Sequence, residues 1–379
     1  MFQPGLESFF ADIKFNSHHK TNVAVVSNFT GRDKNGVHLV NRIANDSRFI
    51  LKKAFSPEHG FGSNEPDGEH VANSKISDLN IEIISLYGTN KKPTAEMLKD
   101  LDLLLFDIQD VGVRFYTYIS TLRNILEAAN EVQLPVAVLD RPDFIGRIIE
   151  GPDLEEGFES FVGHLPIPLR YGLTSGELAI WIKKHYKLTN EITVYKCTDY
   201  TSSKLFKELD FPWFKPSPSM PDIKTAMLYP GTCFFEGTEL SEGRGTDAPF
   251  RNIGAPWVNA DLWLEALKPL LPQYVEASTI VFNPTFSKCE KQDCNGIHLE
   301  MTTDKPQPVV EVGIALLYSL MQTHPDKVIF TGRPSLSKPF IDYLAGTDKL
   351  RLGLFAGKTP KEIMASFPPV SFKPELLYK

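Results

Sequence analysis

Leu103-Leu104-Leu105-Phe106-Asp107-Ile108-Gln109-Asp110 is an apolar run of one strand's length that stops abruptly in acids and an amide. The chain continues through Val111-Gly112-Val113-Arg114 into Phe115-Tyr116-Thr117-Tyr118, so charge and aromatic rings crowd the strand's exit. Filling a core requires no such cluster. Continuous apolar runs belong to parallel strands covered on both faces, and open α/β sheets bind ligands beyond the carboxyl ends of their strands. The segment predicts a buried strand that opens onto an active site.

The pattern repeats around it. Short β-rich apolar runs at 23–27, 50–55, 81–86, 103–108 and 135–139 alternate with amphipathic segments at 37–45, 94–99 and 120–132. In the last of these, Leu122, Ile125, Leu126 and Ala129 recur at helical spacing. Thr94 after Pro93 reads as a helix start, and Thr174-Ser175-Gly176-Glu177 introduces another helix over 178–186. This alternation predicts an α/β fold with βαβ units and a doubly wound, mostly parallel, Rossmann-like sheet. Pro212, Pro216, Pro218 and Pro221 forbid regular structure, while Trp213 and Phe214 between them predict a packed, extended segment lining a cleft. Beyond about residue 250 a smaller unit follows, with mixed strand and helix signals at 279–282, 296–301, 309–322 and 341–344.

Bulk properties narrow the function. With 379 residues, 42% of them hydrophobic, the chain can bury a full core and is expected to form two domains. Net charge is −7 and the 40 basic residues are scattered, with no run longer than pairs such as Lys52-Lys53. That argues against a phosphate footprint, so no nucleic-acid partner is expected. Cys197, Cys233, Cys289 and Cys294 lack the paired spacing of a zinc site, and no metal is expected. No apolar run reaches the length of a membrane span. The opening Met-Phe-Gln-Pro-Gly-Leu-Glu does not read as a signal peptide. The glycine fingerprints of dinucleotide and nucleotide sites are missing, as is the nucleophile elbow of α/β-hydrolases. A cofactor-free enzyme acting on a small neutral or zwitterionic substrate fits best.

The strand exits carry the chemistry. Ser27-Asn28-Phe29-Thr30-Gly31, Ser56-Pro57-Glu58-His59-Gly60, Tyr87-Gly88, Asp107-Ile108-Gln109-Asp110 and Asp140-Arg141-Pro142-Asp143 all project from one sheet edge if the strands are parallel. One polar strand end is ordinary loop chemistry; polar ends on most strands point to a convergent site. In the second of these exits Pro57 fixes the backbone before the acid, and Gly60 and Gly62 permit a tight return. A carboxyl so held beside an imidazole suits general acid or base work. The plainer alternatives are an acid that caps the following turn and a structural histidine. A second cluster, Glu236-Gly237-Thr238-Glu239-Leu240-Ser241-Glu242-Gly243-Arg244-Gly245-Thr246, emerges from the apolar stretch 229–235. Its Arg244 is a natural partner for a substrate carboxylate. Tyr116, Tyr118, Tyr171, Trp213 and Trp257 offer faces on which sugars stack. Carboxylates among aromatic rings describe carbohydrate chemistry, in which two acids flank a glycosidic bond.

Long motifs then carry a family resemblance. Phe55-Ser56-Pro57-Glu58-His59-Gly60, Ser85-Leu86-Tyr87-Gly88, the run from Phe106 to Tyr118, Leu139-Asp140-Arg141-Pro142 and Glu150-Gly151-Pro152 are among them. So are Pro216-Ser217-Pro218-Ser219-Met220-Pro221, Tyr229-Pro230-Gly231-Thr232, Glu236-Gly237-Thr238 and Ser241-Glu242-Gly243-Arg244-Gly245-Thr246. Gly254-Ala255-Pro256-Trp257, Phe282-Asn283-Pro284-Thr285-Phe286 and Leu344-Ala345-Gly346-Thr347-Asp348 complete the set. Over essentially its whole length the chain resembles the bacterial exo-β-N-acetylmuramidases, long described only as a domain of unknown function.

The resemblance implies release of terminal N-acetylmuramic acid from the non-reducing ends of peptidoglycan fragments, in wall turnover and recycling. It implies a Rossmann-like catalytic domain, 1–250, and a smaller mixed α+β C-terminal domain, 251–379, that closes the cleft between them. Members are commonly exported, which makes this chain a leaderless form of a periplasmic protein or else a cytoplasmic one. Glu58 is the expected general acid/base. Asp107, Glu239 and Tyr116 are candidates for the second catalytic group, alongside the substrate's own acetamide. Asn28, His59 and Gln109 are expected to position hydroxyls and acetamide, and Arg114 or Arg244 to hold the lactyl carboxylate. Ser56, Tyr118, Arg141, Glu236 and Thr246 complete the expected binding set. One departure falls after Arg141-Pro142, where relatives usually carry asparagine and then glycines but this chain reads Asp143-Phe144-Ile145-Gly146-Arg147. That loop is expected to shape the aglycone side. The rival readings are a non-catalytic muropeptide-binding protein and, against the missing phosphate loop, a sugar-nucleotide enzyme.

Overall fold

The computed structural model describes residues 1–15, 19–62, 74–76, 79–88 and 90–378. In chain order, α1 (Gly5–Phe10) precedes β1 (Thr21–Ser27), α2 (Leu39–Ala44), β2 (Phe49–Ser56), β3 (Ser74–Ile76), β4 (Ile81–Ser85) and β5 (Leu103–Asp107). Then come α3 (Tyr118–Glu131), β6 (Val136–Leu139), a ribbon of β7 (Glu150–Asp153) and β8 (Pro168–Arg170), α4 (Ser175–His185) and β9 (Ile192–Tyr195).

The main sheet runs β3-β4-β2-β1-β5-β6-β9, with only β3 antiparallel to its neighbour. Counting the parallel strands alone, the order is 3-2-1-4-5-6, whose switch point falls between β1 and β5. All five expected strands are present. β9 escaped notice because its residues are mostly half-buried and alternate weakly. The expected helix at 94–99 is only a single tight turn, Glu96–Leu98; so short a stretch ahead of β5 cannot sustain a helix.

β5 explains its own composition. Leu103 and Leu105 join Val23, Val25, Phe9 and Leu39 in the core beneath α1 and α2. Leu104 and Phe106 join Ala24, Val26, Leu122 and Leu178 beneath α3 and α4. Both faces are covered, so the four positions from Leu103 to Phe106 are apolar, and each fully buried side chain contributes about 1.5–3 kcal/mol.

The remainder of the chain forms a second layer. A three-stranded antiparallel sheet, β10 (Asn252–Ala255), β11 (Val275–Phe282) and β12 (Cys294–Met301), has β12 in the middle. Around it lie α5 (Ile223–Thr232), α6 (Ala260–Leu267), α7 (Val310–Thr323), α8 (Phe340–Ala345), α9 (Lys349–Phe355) and α10 (Pro360–Ser366). α5 crosses α7 backbone to backbone: a Cβ on Gly231 would stand 2.1 Å from the Val309 carbonyl oxygen, so only glycine fits. The stretch 233–237 packs on α8, and one continuous apolar core joins both layers.

Two buried charges tie the layers together. Glu150 of β7 accepts the Val309 and Val310 amides at the start of α7, at 3.0 and 2.6 Å, where a carboxylate also favours the helix dipole. Arg114 donates to the carbonyls of Pro152 (2.8 Å), Ile167 (2.7 Å) and Ala345 (2.6 Å). The proline-rich segment is packed as expected but away from the cleft: Trp213 rests on Phe144 and Phe206 and donates to the Met220 carbonyl at 3.1 Å. Among the described residues no helix is long and apolar enough to cross a membrane.

Candidate active site

The site begins at the end of β2. After Ser56 and Pro57, His59 (φ 67°) and Gly60 (φ 73°) both take left-handed backbone, and the Gly60 amide donates to the Pro57 carbonyl at 3.1 Å. The chain therefore reverses immediately beyond the strand. A non-glycine residue held there costs about 1–2 kcal/mol, a strain that persists where the surroundings over-determine it. The turn leaves Glu58 only 8% exposed. Its Oε2 accepts a hydrogen bond of 2.5 Å from the Thr117 hydroxyl. Thr117 is the residue before α3, yet its side chain makes no capping bond to that helix. A cap is worth about 0.5–2 kcal/mol; here the hydroxyl holds the carboxylate instead.

A cavity of about 310 Å³ opens beside this turn. Glu58, His59, Tyr87 and Lys91 line it from the β2 and β4 exits, and Phe115, Tyr116 and Thr117 from the approach to α3. Ser160, Phe161 and Val162 form a side wall, while Tyr229, Glu236, Arg244, Arg333 and Phe340 come from the second layer. Ligand pockets span roughly 300–1,000 Å³, so this one suits a single substituted sugar ring. Among the described residues, Glu58 and Glu236 are the carboxylates on its wall. Tyr87 and Phe161 pack at 5.8 Å, and the Lys91 ammonium lies 4.5 Å from the Phe161 ring.

On the second-layer wall, charges alternate in sign. Lys288 meets Glu242 at 2.8 Å, Glu242 meets Arg244 at 3.0 Å, Arg244 meets Glu236 at 2.9 Å, and Glu236 meets Arg333 at 3.7 Å. Burial alone would raise the Glu242 carboxyl, but Lys288 and Arg244 hold it below the usual carboxylate range.

The switch point between β1 and β5 is filled. Asp107 and Arg141, 0% and 1% exposed, form a two-pronged pair of 2.6 and 2.8 Å there. Arg141 also donates to the Arg32 carbonyl at 2.9 Å, and the Ser27 hydroxyl to the Asp107 carbonyl at 2.8 Å. The cleft has moved sideways, over β2 and β4.

Residues 23–224 match the family model described as exo-beta-N-acetylmuramidase NamZ, N-terminal, and residues 227–371 its C-terminal counterpart. The chain belongs to the NamZ exo-β-N-acetylmuramidase family. It is 36% identical over 366 residues to the peptidoglycan beta-N-acetylmuramidase NamZ of Bacillus subtilis (strain 168), covering 96% of this chain and 87% of that protein. Among solved structures it is similar to two DUF1343 family proteins of Bacteroides fragilis NCTC 9343. One has a TM-score of 0.85 at 27% identity, covering 100% of this chain and 99% of the other. The second has a TM-score of 0.75 at 30% identity, covering 97% and 94%.

Within this NamZ-family fold the residues expected from sequence separate into groups. Glu58, His59, Tyr116, Glu236 and Arg244 share the cavity. Asp107 and Arg141 lie under the closed switch point with Asn28, whose Oδ1 accepts from Thr30, and Gln109, whose amide donates to the Asp110 and Pro142 carbonyls. Arg114, expected at a substrate carboxylate, is instead buried among carbonyls between the layers. Glu239 is exposed and outside the cavity wall. Ser56 is buried at the strand end, and Thr246 closes its own turn by donating to the Gly243 carbonyl at 2.7 Å. Tyr118 packs behind Tyr116 at 4.8 Å and donates to the Pro216 carbonyl. Of the other expected stacking rings, Tyr171 is fully buried with its hydroxyl on Asp110, and Trp257 packs on His324.

Sequence reading passed over Thr117 as a ligand of Glu58, and over Lys91, Ser160, Phe161 and Arg333 altogether. The Ser160 hydroxyl is buried on the wall with no partner among the described residues. No periodicity marks these loop positions.

The departing loop after Arg141-Pro142 does not line the cavity. Asp143 is buried there, one oxygen accepting the Ile145 amide at 3.1 Å and the other without a partner among the described residues. Burial pushes its carboxyl up to about 7 from an ordinary 3.8, against the pull of Arg170. A folded-state value above the unfolded one means stability is fully present below about pH 4 and lost as pH rises through 7. Asp143→Asn should therefore raise the melting temperature more at pH 8 than at pH 5. Equal changes at both values would contradict this.

Proposed function

We propose that this chain is an exo-β-N-acetylmuramidase that releases terminal N-acetylmuramic acid from the non-reducing ends of peptidoglycan fragments, with Glu58 as its general acid/base. The observation that carries this reading is the rigid presentation of Glu58, by the reversed turn and the Thr117 hydroxyl, on the wall of a cavity of sugar size. A protonated Glu58 would donate to the glycosidic oxygen as the bond breaks, then accept a proton from the incoming water. Tyr87, Tyr116 and Phe161 supply faces and edges for the ring, and His59 and Ser160 supply polar contacts. Of the three side chains considered for the second catalytic role, Tyr116 shares the cavity with Glu58; the other carboxylate on the wall among the described residues, Glu236, is held by Arg244.

The test is a time course of a muramic-acid-terminated disaccharide followed by mass spectrometry. Free N-acetylmuramic acid should accumulate catalytically; retention of intact disaccharide without product would instead support a binding protein. Thr117→Val should lower kcat by about 10- to 100-fold, the scale on which misaligned catalytic groups act. Thr117→Ser, which keeps the hydroxyl, should retain most of it. A valine variant with normal kcat would contradict the positioning role.

A further inference from the structure

Among the described residues, the row of alternating charges behind and along the second-layer wall holds three cations, Lys288, Arg244 and Arg333, and two carboxylates, Glu242 and Glu236. The inner cations are occupied. Lys288 pairs with Glu242 and donates to the Phe235 and Thr238 carbonyls at 2.7 and 2.8 Å. Arg244 is shared between Glu242 and Glu236, is only 7% exposed, and lies 4.8 Å from the Phe250 ring. The excess positive charge therefore falls at the end of the row, on Arg333. Its only ion pair among the described residues is the 3.7 Å approach to Glu236, too long for a hydrogen bond. Its side chain is 46% exposed and lines the cavity, with the guanidinium carbon over the Phe340 ring at 3.5 Å.

Within the proposed muramidase reading, we infer that Arg333 is the specificity-determining residue that binds the lactyl carboxylate distinguishing N-acetylmuramic acid from N-acetylglucosamine. A planar fork over an aromatic ring and lining a cavity binds a carboxylate in two-pronged fashion. Arg244, the obvious choice from sequence, already has carboxylates on its fork. Lys91 on the facing wall is a point charge over Phe161 and lacks the matching geometry.

The experiment compares kcat/KM for a chromogenic β-N-acetylmuramide and for its lactyl methyl ester, in wild type, Arg333→Ala, Arg333→Gln and Lys91→Ala. Wild type should prefer the free acid by about 10- to 100-fold, the size of a charge-assisted contact. Both Arg333 variants should lose that preference by slowing at least 10-fold more on the acid than on the ester; Lys91→Ala should keep the preference. A preserved preference in the Arg333 variants, equal losses on both substrates, loss through Lys91→Ala, or a wild type that cleaves both alike would each overturn the inference. A wild type that cleaves neither muramide fails the muramidase reading itself, and so is distinguishable.

Discussion

Glu58→Gln is expected to cut turnover of a β-N-acetylmuramide by about 10²- to 10⁴-fold, the range of a lost general acid/base, while sugar binding stays roughly intact. Glutamine keeps the shape of the side chain and can still meet the Thr117 hydroxyl, but it has no proton to exchange with the glycosidic oxygen. Because Glu58 sits on an exit turn and in none of the core clusters, the fold should survive the change. Steady-state kinetics and a binding titration with the intact substrate separate the two effects. Near-normal hydrolysis by this variant would remove Glu58 from the mechanism.

Asp107→Ala should act in the opposite way. Burial lifts the Asp107 carboxyl above its ordinary range against the pull of Arg141, and the pair fills the switch point with both side chains essentially inaccessible. Removing one partner strands a buried guanidinium, at a cost of about 3–5 kcal/mol. Urea unfolding should show that loss, whereas turnover per folded molecule should stay close to wild type, since Asp107 does not line the cavity. Replacing both partners, Asp107→Leu with Arg141→Met, should recover much of the stability because no unpaired charge remains. If Asp107→Ala keeps its stability but loses turnover by orders of magnitude, Asp107 belongs to the chemistry after all.

The contrast between these two carboxylates marks how far the sequence could be read. The run from Leu103 to Asp107 is legible as a doubly covered strand because both its faces pack apolar side chains, and periodicity records that. The convergence of polar strand ends is legible for the same reason, since it follows from parallel order. Which exit stays open is not, because Arg141, 34 residues beyond Asp107, closes the obvious one. Pairings across the fold leave no local trace. Arg114 and Arg244 both read in sequence as arginines beside glycines and free for a substrate carboxylate, yet one is buried among carbonyls and the other lies between two glutamates. Thr117 stands between two tyrosines with no local pattern to mark it, and only the approach of β2's exit turn makes its hydroxyl a ligand of Glu58. Arg333 stands in a loop between Gly332 and Pro334 with no pattern around it, so its importance depends on the row of charges that ends there.

Chemistry is expected beside Glu58, over the exits of β2 and β4, and not at the sheet's switch point. The decisive measurement is a crystal structure of the Glu58→Gln variant holding an uncleaved muramic-acid disaccharide. The sugar should lie between Tyr116 and Glu236, its glycosidic oxygen about 2.6–3.2 Å from the side chain at position 58, the reach that proton transfer requires. A sugar seated instead against Asn28, Asp107 and Gln109, with the Asp107–Arg141 pair opened, would contradict this placement.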